Sequence, residues 1–275
     1  MAMSINTNIS SLTTQGHLTN TQNALGKSME RLSSGLRINS ASDDAAGMSI
    51  ANRMTAQVRG MDQAVRNAND GVSMAQTAEG GMAEIGDMLQ RMRELVVQGA
   101  NETNDVDDLA AITTEIGELN AEIDRLAGAT SFNGKTLLDG ALDVDLQVGA
   151  NATADDTINL SIAQDFTSVG LGTDALAVTD NAAAQTSITA LDDAIKTVDT
   201  ERGKVGSMVN RLDHTVKNLT SQSQNMSAAR SRIQDADIAS ESALMTRSNV
   251  LQQAGVSILA QANQSPNVAL SLLGG

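Results

Sequence analysis

The chain is 275 residues long, contains no Cys, Trp or Tyr, and carries a formal net charge of −15. These facts exclude disulfide and thiolate chemistry, argue against a core built on aromatic residues, and leave no clustered Lys and Arg for a nucleic-acid backbone. The charge is also unevenly placed. Residues 101–200 hold 19 acidic and 3 basic side chains, whereas residues 1–26 and 248–275 hold no Lys, Arg, Asp or Glu. Neutral, apolar-striped ends on an acidic chain suit a subunit that buries its ends against copies of itself. There is no run of 18 apolar residues and no basic segment leading into a dense apolar stretch at the start. Neither a membrane span nor a recognisable cleaved signal is therefore expected.

Along the first segment, Ile5, Ile9 and Leu12 are followed by Leu18, Leu25, Met29, Leu32 and Leu36 in a near-heptad stripe, which predicts a helix. Ser33-Ser34-Gly35 and Ile38-Asn39-Ser40 break it. Ser40 followed by Asp43 reads as the cap of the next helix, with Asp44 adding charge at its positive end. That helix extends to about residue 98 through apolar positions including Met54, Met61, Met82, Leu89 and Val96. Asn101 to Asp105 reads as a turn, and Leu109, Ile112, Ile116, Leu119, Ile123 and Leu126 mark a third helix.

Phe132-Asn133-Gly134 is a turn signal, and residues 136–179 change to short alternating runs such as Asp143-Val144-Asp145-Leu146. These predict short antiparallel hairpins. Helical spacing returns from Ser187 to about Thr220, then from Ile238 through Leu244, Leu251 and Ile258, which are seven apart. The last helix is expected to stop before Pro266, the single proline. The fold class is mainly α: a long antiparallel helical bundle or coiled-coil rod with a small β-hairpin region. Periodicity alone is equally consistent with an assembling subunit and with a bundle that satisfies its own stripes.

Two motif blocks go further. Near the start stand Ser4-Ile5-Asn6-Thr7-Asn8, Glu30-Arg31-Leu32-Ser33-Ser34-Gly35-Leu36-Arg37-Ile38-Asn39-Ser40-Ala41 and Asp43-Asp44-Ala45-Ala46-Gly47. Near the end stand Ala229-Arg230-Ser231-Arg232-Ile233-Gln234-Asp235-Ala236-Asp237, Leu251-Gln252-Gln253-Ala254-Gly255 and Leu259-Ala260-Gln261-Ala262-Asn263-Gln264. In this order the blocks closely resemble bacterial flagellin, over roughly residues 1–140 and 187–275. Departures from the family pattern are the Met1-Ala2-Met3-Ser4 start, the Leu272-Leu273-Gly274-Gly275 end, and His17 and His214.

The resemblance implies an extracellular subunit that polymerises into the flagellar filament for swimming. Export would follow the flagellar type III pathway without signal cleavage. Residues 1–40 and 236–275 would form the inner filament core, 41–140 and 187–235 the outer-core rod, and 141–186 a short β-hairpin insertion. Leu18, Leu25, Met29 and Leu32 would face Leu244, Leu251 and Ile258 in the inner-core seam, while Arg31, Arg37 and Asp43 would make contacts between the two tiers. Repulsion among the acids of the middle would weaken assembly at low salt.

The implied partners are copies of the chain, an export chaperone on the uncharged C-terminal helix from Ser248, the hook–filament junction proteins and the filament cap. The innate-immune Toll-like receptor for flagellin is a further one, through Arg91, Leu95 and Glu115. An alternative within the resemblance is a hook–filament junction adaptor. No enzyme, metal or cofactor is expected. The two histidines form no His-Glu-x-x-His motif, there is no Gly-x-Ser-x-Gly elbow, and pairs such as Asp107-Asp108 lack the spacing of a calcium loop.

Overall fold

A computed structural model describes residues 7–273, with side chains described to residue 264. Residues 1–6 and 274–275, with the side chains of residues 265–273, lie outside the described residues, and with them Ile5 and the two ends that depart from the family pattern. The chain divides into two compact units, Met1–Ala56 with Asn225–Gly275 and Gln57–Gln224. Its elements are α1 (Ile9–Ser34), α2 (Ala45–Gly99), α3 (Val106–Ala129), β1 (Ser131–Phe132), β2 (Lys135–Thr136), β3 (Leu142–Gln147), β4 (Thr157–Ile162), α4 (Ser168–Leu171), α5 (Asn181–Gln234) and α6 (Ile238–Leu273). It is mainly helical with small hairpins, as the sequence predicts.

In the first unit, α1 starts where the Asn8 side chain accepts a hydrogen bond from the Ser11 N–H, and it ends at Gly35, whose φ of 72° favours a residue without a Cβ. α6 packs antiparallel against it, from Arg31 beside Glu241 to Asn8 donating to the Ala262 carbonyl. The link between α1 and α2 is tied to the link between α5 and α6. Arg37 and Ile38 N–H groups share the Gln234 carbonyl, and Ala236 N–H donates to the Gly35 carbonyl.

The start of α2 differs from the predicted cap. The Asp44 side chain, not that of Ser40, accepts from the Gly47 N–H at 2.8 Å. Asp43 instead closes the preceding turn by accepting from the Asn39 and Ser40 N–H groups. Two other boundaries move. α5 begins six residues before Ser187 and continues past Thr220 to Gln234. Asp180 caps its start by accepting from the Ala183 N–H. Beyond Thr220 polar contacts replace the apolar stripe: Ser223 donates to Asp62 and Arg230 lies 3.4 Å from the Thr55 hydroxyl. α6 continues through Pro266 to Leu273. A proline removes one helical donor and costs about 3 kcal/mol, a penalty that does not forbid the turns beyond it.

The second unit holds the large core. Met82, Ile85, Leu89 and Met92 of α2 are fully buried with Ile123 of α3 and with Leu191 and Leu212 of α5. Leu191, Val198, Val205, Leu212 and Leu219 recur every seventh residue and are all buried, the seam pattern of helices packed side by side. α3 is started by a capping box between Asp105 and Asp108. β1 and β2 meet in a tight hairpin with Asn133 at φ 49° and Gly134 at φ 78°, the positive pair that a type I′ turn requires. β3 pairs antiparallel with β4 from Leu142 opposite Ile162 to Gln147 opposite Thr157. Leu142, Leu146, Ile158, Leu160 and Ile162 point to the core, while Asn159 bridges Asp143 and Asp145 on the solvent side. Phe166 closes the core beside this hairpin, its N–H donating to the Leu138 carbonyl.

Candidate subunit-contact surface

The seam between α1 and α6 is made largely of small and polar residues. On α1 the sheltered positions are Ser11, Leu18, Leu25 and Leu32, interleaved with Thr14, Thr21 and Ser28. On α6 they are Glu241, Ser248, Gly255 and Ala262, interleaved with Met245, Gln252 and Leu259. Both sets keep the seven-residue repeat of a coiled-coil seam. Gly255 faces Leu18 across the seam, where a Cβ would lie 3.4 Å from the Leu18 side chain, an ordinary contact distance. Ser11 donates to Asn263 at 2.8 Å, and with Asn8 it fixes the register at this end.

Leu18, Leu25 and Leu32 therefore lie in the seam, half-buried. The other four predicted seam residues do not. Met29 is exposed, and Leu244, Leu251 and Ile258 are 45%, 50% and 54% exposed. Leu244, Leu251 and Ile258 each stand one residue before a seam position and Met29 one residue after Ser28, which on a helix turns them to the flank. The most apolar stripe of α6 is thus not the face it turns to its own partner. A small-residue heptad, visible in the sequence as Ser248, Gly255 and Ala262, is the signal that finds the true seam.

What the seam leaves outside is apolar. Ile9 and Leu12 of α1, and Ile238, Leu244, Val250, Leu251, Val256 and Ile258 of α6, are all exposed. Of the 13 large apolar side chains exposed among the described residues, ten belong to the first unit. Leu251 and Ile258 form one wall of a groove of about 500 Å³ against Thr14, His17, Thr21 and Ala24 of α1. Exposed single apolar residues are ordinary, whereas a contiguous apolar strip marks a surface that something covers. Completing the burial of one half-exposed Leu or Ile contributes roughly 1 kcal/mol, repeated at each such position.

The residues expected between the tiers find partners within the first unit, although the buried Nε of Arg31 has none. Arg31 lies 3.6 Å from the buried Glu241. The Arg37 guanidinium donates to the Ile233 carbonyl. Asp43 pairs with Lys27 at 2.8 Å, and that bond, with the Ser40 and Asn39 N–H groups, holds its carboxyl well below the usual carboxylate range. In the second unit Arg91 donates to Glu115 at 2.9 Å and to Glu94 at 3.2 Å, and the Glu115 bond foremost pushes the guanidinium up from its ordinary value. Both are exposed, whereas Leu95 is 3% exposed and belongs to the core under them. Sequence reasoning did not single out Asp124, which accepts from the Ser168 N–H and hydroxyl and fastens α4 to α3. Among the described residues no group of three or more His, Cys, Asp or Glu could hold a metal ion, and no helix is long and apolar enough to cross a membrane.

Comparison with known proteins agrees with this arrangement. Residues 5–143 match the bacterial flagellin N-terminal helical region and residues 188–273 match the bacterial flagellin C-terminal helical region. A flagellin of Halalkalibacterium halodurans is 47% identical over 273 residues, covering 98% of this chain and 100% of that protein. The crystal structure of Bacillus cereus flagellin is 38% identical, with a TM-score of 0.50 over 60% of this chain and 94% of that one. A putative flagellar hook-associated protein from Vibrio parahaemolyticus shares the fold at a TM-score of 0.59, over 70% of this chain and 100% of that one, with 15% identity.

Proposed function

The chain belongs to the bacterial flagellin family and is a structural, extracellular subunit of the flagellar filament, and from that premise we infer how its ends are used. The α1–α6 pair is the inner-core element. Its polar, small-residue seam holds the two helices in register, and the apolar strip through Leu244, Leu251 and Ile258 is covered by neighbouring copies. The observation that carries this reading is the concentration of exposed apolar side chains in the unit whose two ends bear no charge. An open filament needs contacts between unlike surfaces that do not close on themselves, and the strip and the groove beside it supply two such surfaces. The second unit, with its acidic exterior, forms the outer tier.

Elongation of short filament seeds tests this. The full chain is expected to extend seeds into long filaments, and a chain ending at Arg247 is expected to leave them unextended while its second unit stays folded. Extension by the shortened chain would overturn the reading. The same flank from Ser248 onward is the place for an export chaperone, which would shield the strip before assembly. Junction and cap proteins would meet the filament ends through the same surfaces. A junction adaptor has only a likeness of fold behind it, at 15% identity.

The free subunit is also a ligand for the innate-immune flagellin receptor in this reading, through the exposed Arg91–Glu115 pair. Leu95 acts from beneath, by holding the helix that presents Arg91. Replacing Arg91 by Ala is expected to lower receptor activation about tenfold through loss of a charged hydrogen-bond donor, with folding unchanged. Replacing Leu95 by Ala is expected to lower stability by about 2–5 kcal/mol. An Arg91→Ala subunit as active as the original would place the contact elsewhere.

A further inference from the structure

His17 is the only histidine, and the only residue with an ionisable side chain, in the two uncharged ends. Residues 1–26 and 248–275 contain no Asp, Glu, Lys, Arg, Cys or Tyr, and the other histidine, His214, lies in the second unit. His17 is exposed in the single chain and lines the groove whose opposite wall is Leu251 and Ile258. We propose that His17 is a proton-operated switch of assembly: neutral, it is buried when a second copy covers this groove, and protonated, it opposes that burial. The inference rests on the filament reading above and adds to it a regulatory residue.

The surroundings make the switch single-handed. α6 is the element packed on α1 here, and neither helix places a charged or titratable side chain on the groove besides His17; the walls are Thr, Asn, Ser, Ala, Gly, Leu and Ile. The nearest charge along α1 is Lys27, about 15 Å away at 1.5 Å per residue. On α6 it is Arg247, which lines the neighbouring groove with Val250. A second copy is the occupant because the groove runs into the exposed Leu244–Leu251–Ile258 strip, the surface assigned to subunit contact. The copy's own ends contain no Asp or Glu side chain to pair with an imidazolium.

The sign follows from linkage. Histidine changes charge between about pH 5 and 8, and burial in an uncharged contact favours its neutral form. The free subunit then binds protons that the assembled one excludes. Assembly is full at the alkaline side of the histidine range and weakens as pH falls, by up to about tenfold per pH unit for one excluded proton.

The test is the critical concentration for seeded elongation at pH 7.5 and pH 5.5, using the full chain, a His17→Gln variant and a His214→Gln variant. The full chain and His214→Gln are expected to show a severalfold rise, up to about tenfold, at the lower pH, and His17→Gln a change of less than twofold. A full chain with no pH dependence, or a His17→Gln variant that keeps it, overturns the proposal. Failure of the full chain to elongate at pH 7.5 would remove the filament reading itself, and the switch with it.

Discussion

Replacing Leu251 by Asp stops filament growth, whereas replacing it by Ala only slows it. Leu251 is half-exposed in the single chain and belongs to the strip proposed above as the contact between copies. The Ala variant forfeits the remaining burial of one side chain, roughly 1 kcal/mol per added subunit, or about a fivefold rise in critical concentration. The Asp variant places a carboxylate in an apolar contact whose one nearby cation is Arg247, a helical turn earlier on α6. Stripping water from that carboxylate still costs several kcal/mol, so the critical concentration rises on the order of a thousandfold. Stability of the single chain should change little, because half of the side chain already faces water. Sedimentation of seeded reactions reads the difference. Equal growth of the Asp and Ala variants would show that Leu251 stays in solvent in the filament.

The second large effect concerns folding and not assembly. Phe166 is one of two Phe residues in the chain and is completely buried between the β3–β4 hairpin and the helices. A core otherwise filled by Leu, Ile, Val and Met has no neighbour large enough to collapse into the space it would leave. Phe166→Ala should therefore destabilise the second unit by about 3–5 kcal/mol. Val169, three residues on, is 70% exposed, and Val169→Ala should stay within about 0.5 kcal/mol. Chemical denaturation followed by circular dichroism separates the two. A Phe166→Ala chain as stable as the Val169→Ala chain would mean that Phe166 contributes nothing to the core.

Much of this architecture is legible in the sequence because helices announce themselves by period. The stripe from Ile112 to Ile123 and the seven-residue spacing from Leu191 to Leu219 both point at the core they occupy. The alternation from Asp143 to Leu146 likewise marks a strand with one wet face. Reading failed where a helix is held by polar contacts. α5 beyond Thr220 is fastened through Ser223 and Arg230, which leave no apolar stripe to follow. It failed again at Ser40, where four acceptors in five residues competed and Asp44 took the cap.

The most instructive difference is in α6. Leu244, Leu251 and Ile258 form its clearest heptad, yet α1 packs on Ser248, Gly255 and Ala262. Hydrophobic periodicity identifies a face that will be buried without saying which partner buries it. In a chain that folds alone, the strongest stripe faces the core. Here the chain keeps its small residues for itself and leaves the larger ones for its copies, the order expected when intersubunit contacts supply much of the stability of the ends. Arg91, Glu115 and Leu95 show a related limit. Their types suggest a donor, an acceptor and an apolar anchor, but only the structure separates the exposed pair from the buried Leu95 beneath.

The absence of cysteine from the sequence permits a direct measurement of the central claim. A single cysteine placed at Leu251, with a second chain carrying one at the exposed Val169 as reference, can be reacted with a maleimide before and after assembly. The account predicts that the Leu251 site reacts freely in the single subunit and at least tenfold more slowly in filaments. Equal reactivity of the Leu251 site in subunits and filaments would contradict the assignment of the α6 strip to contacts between copies.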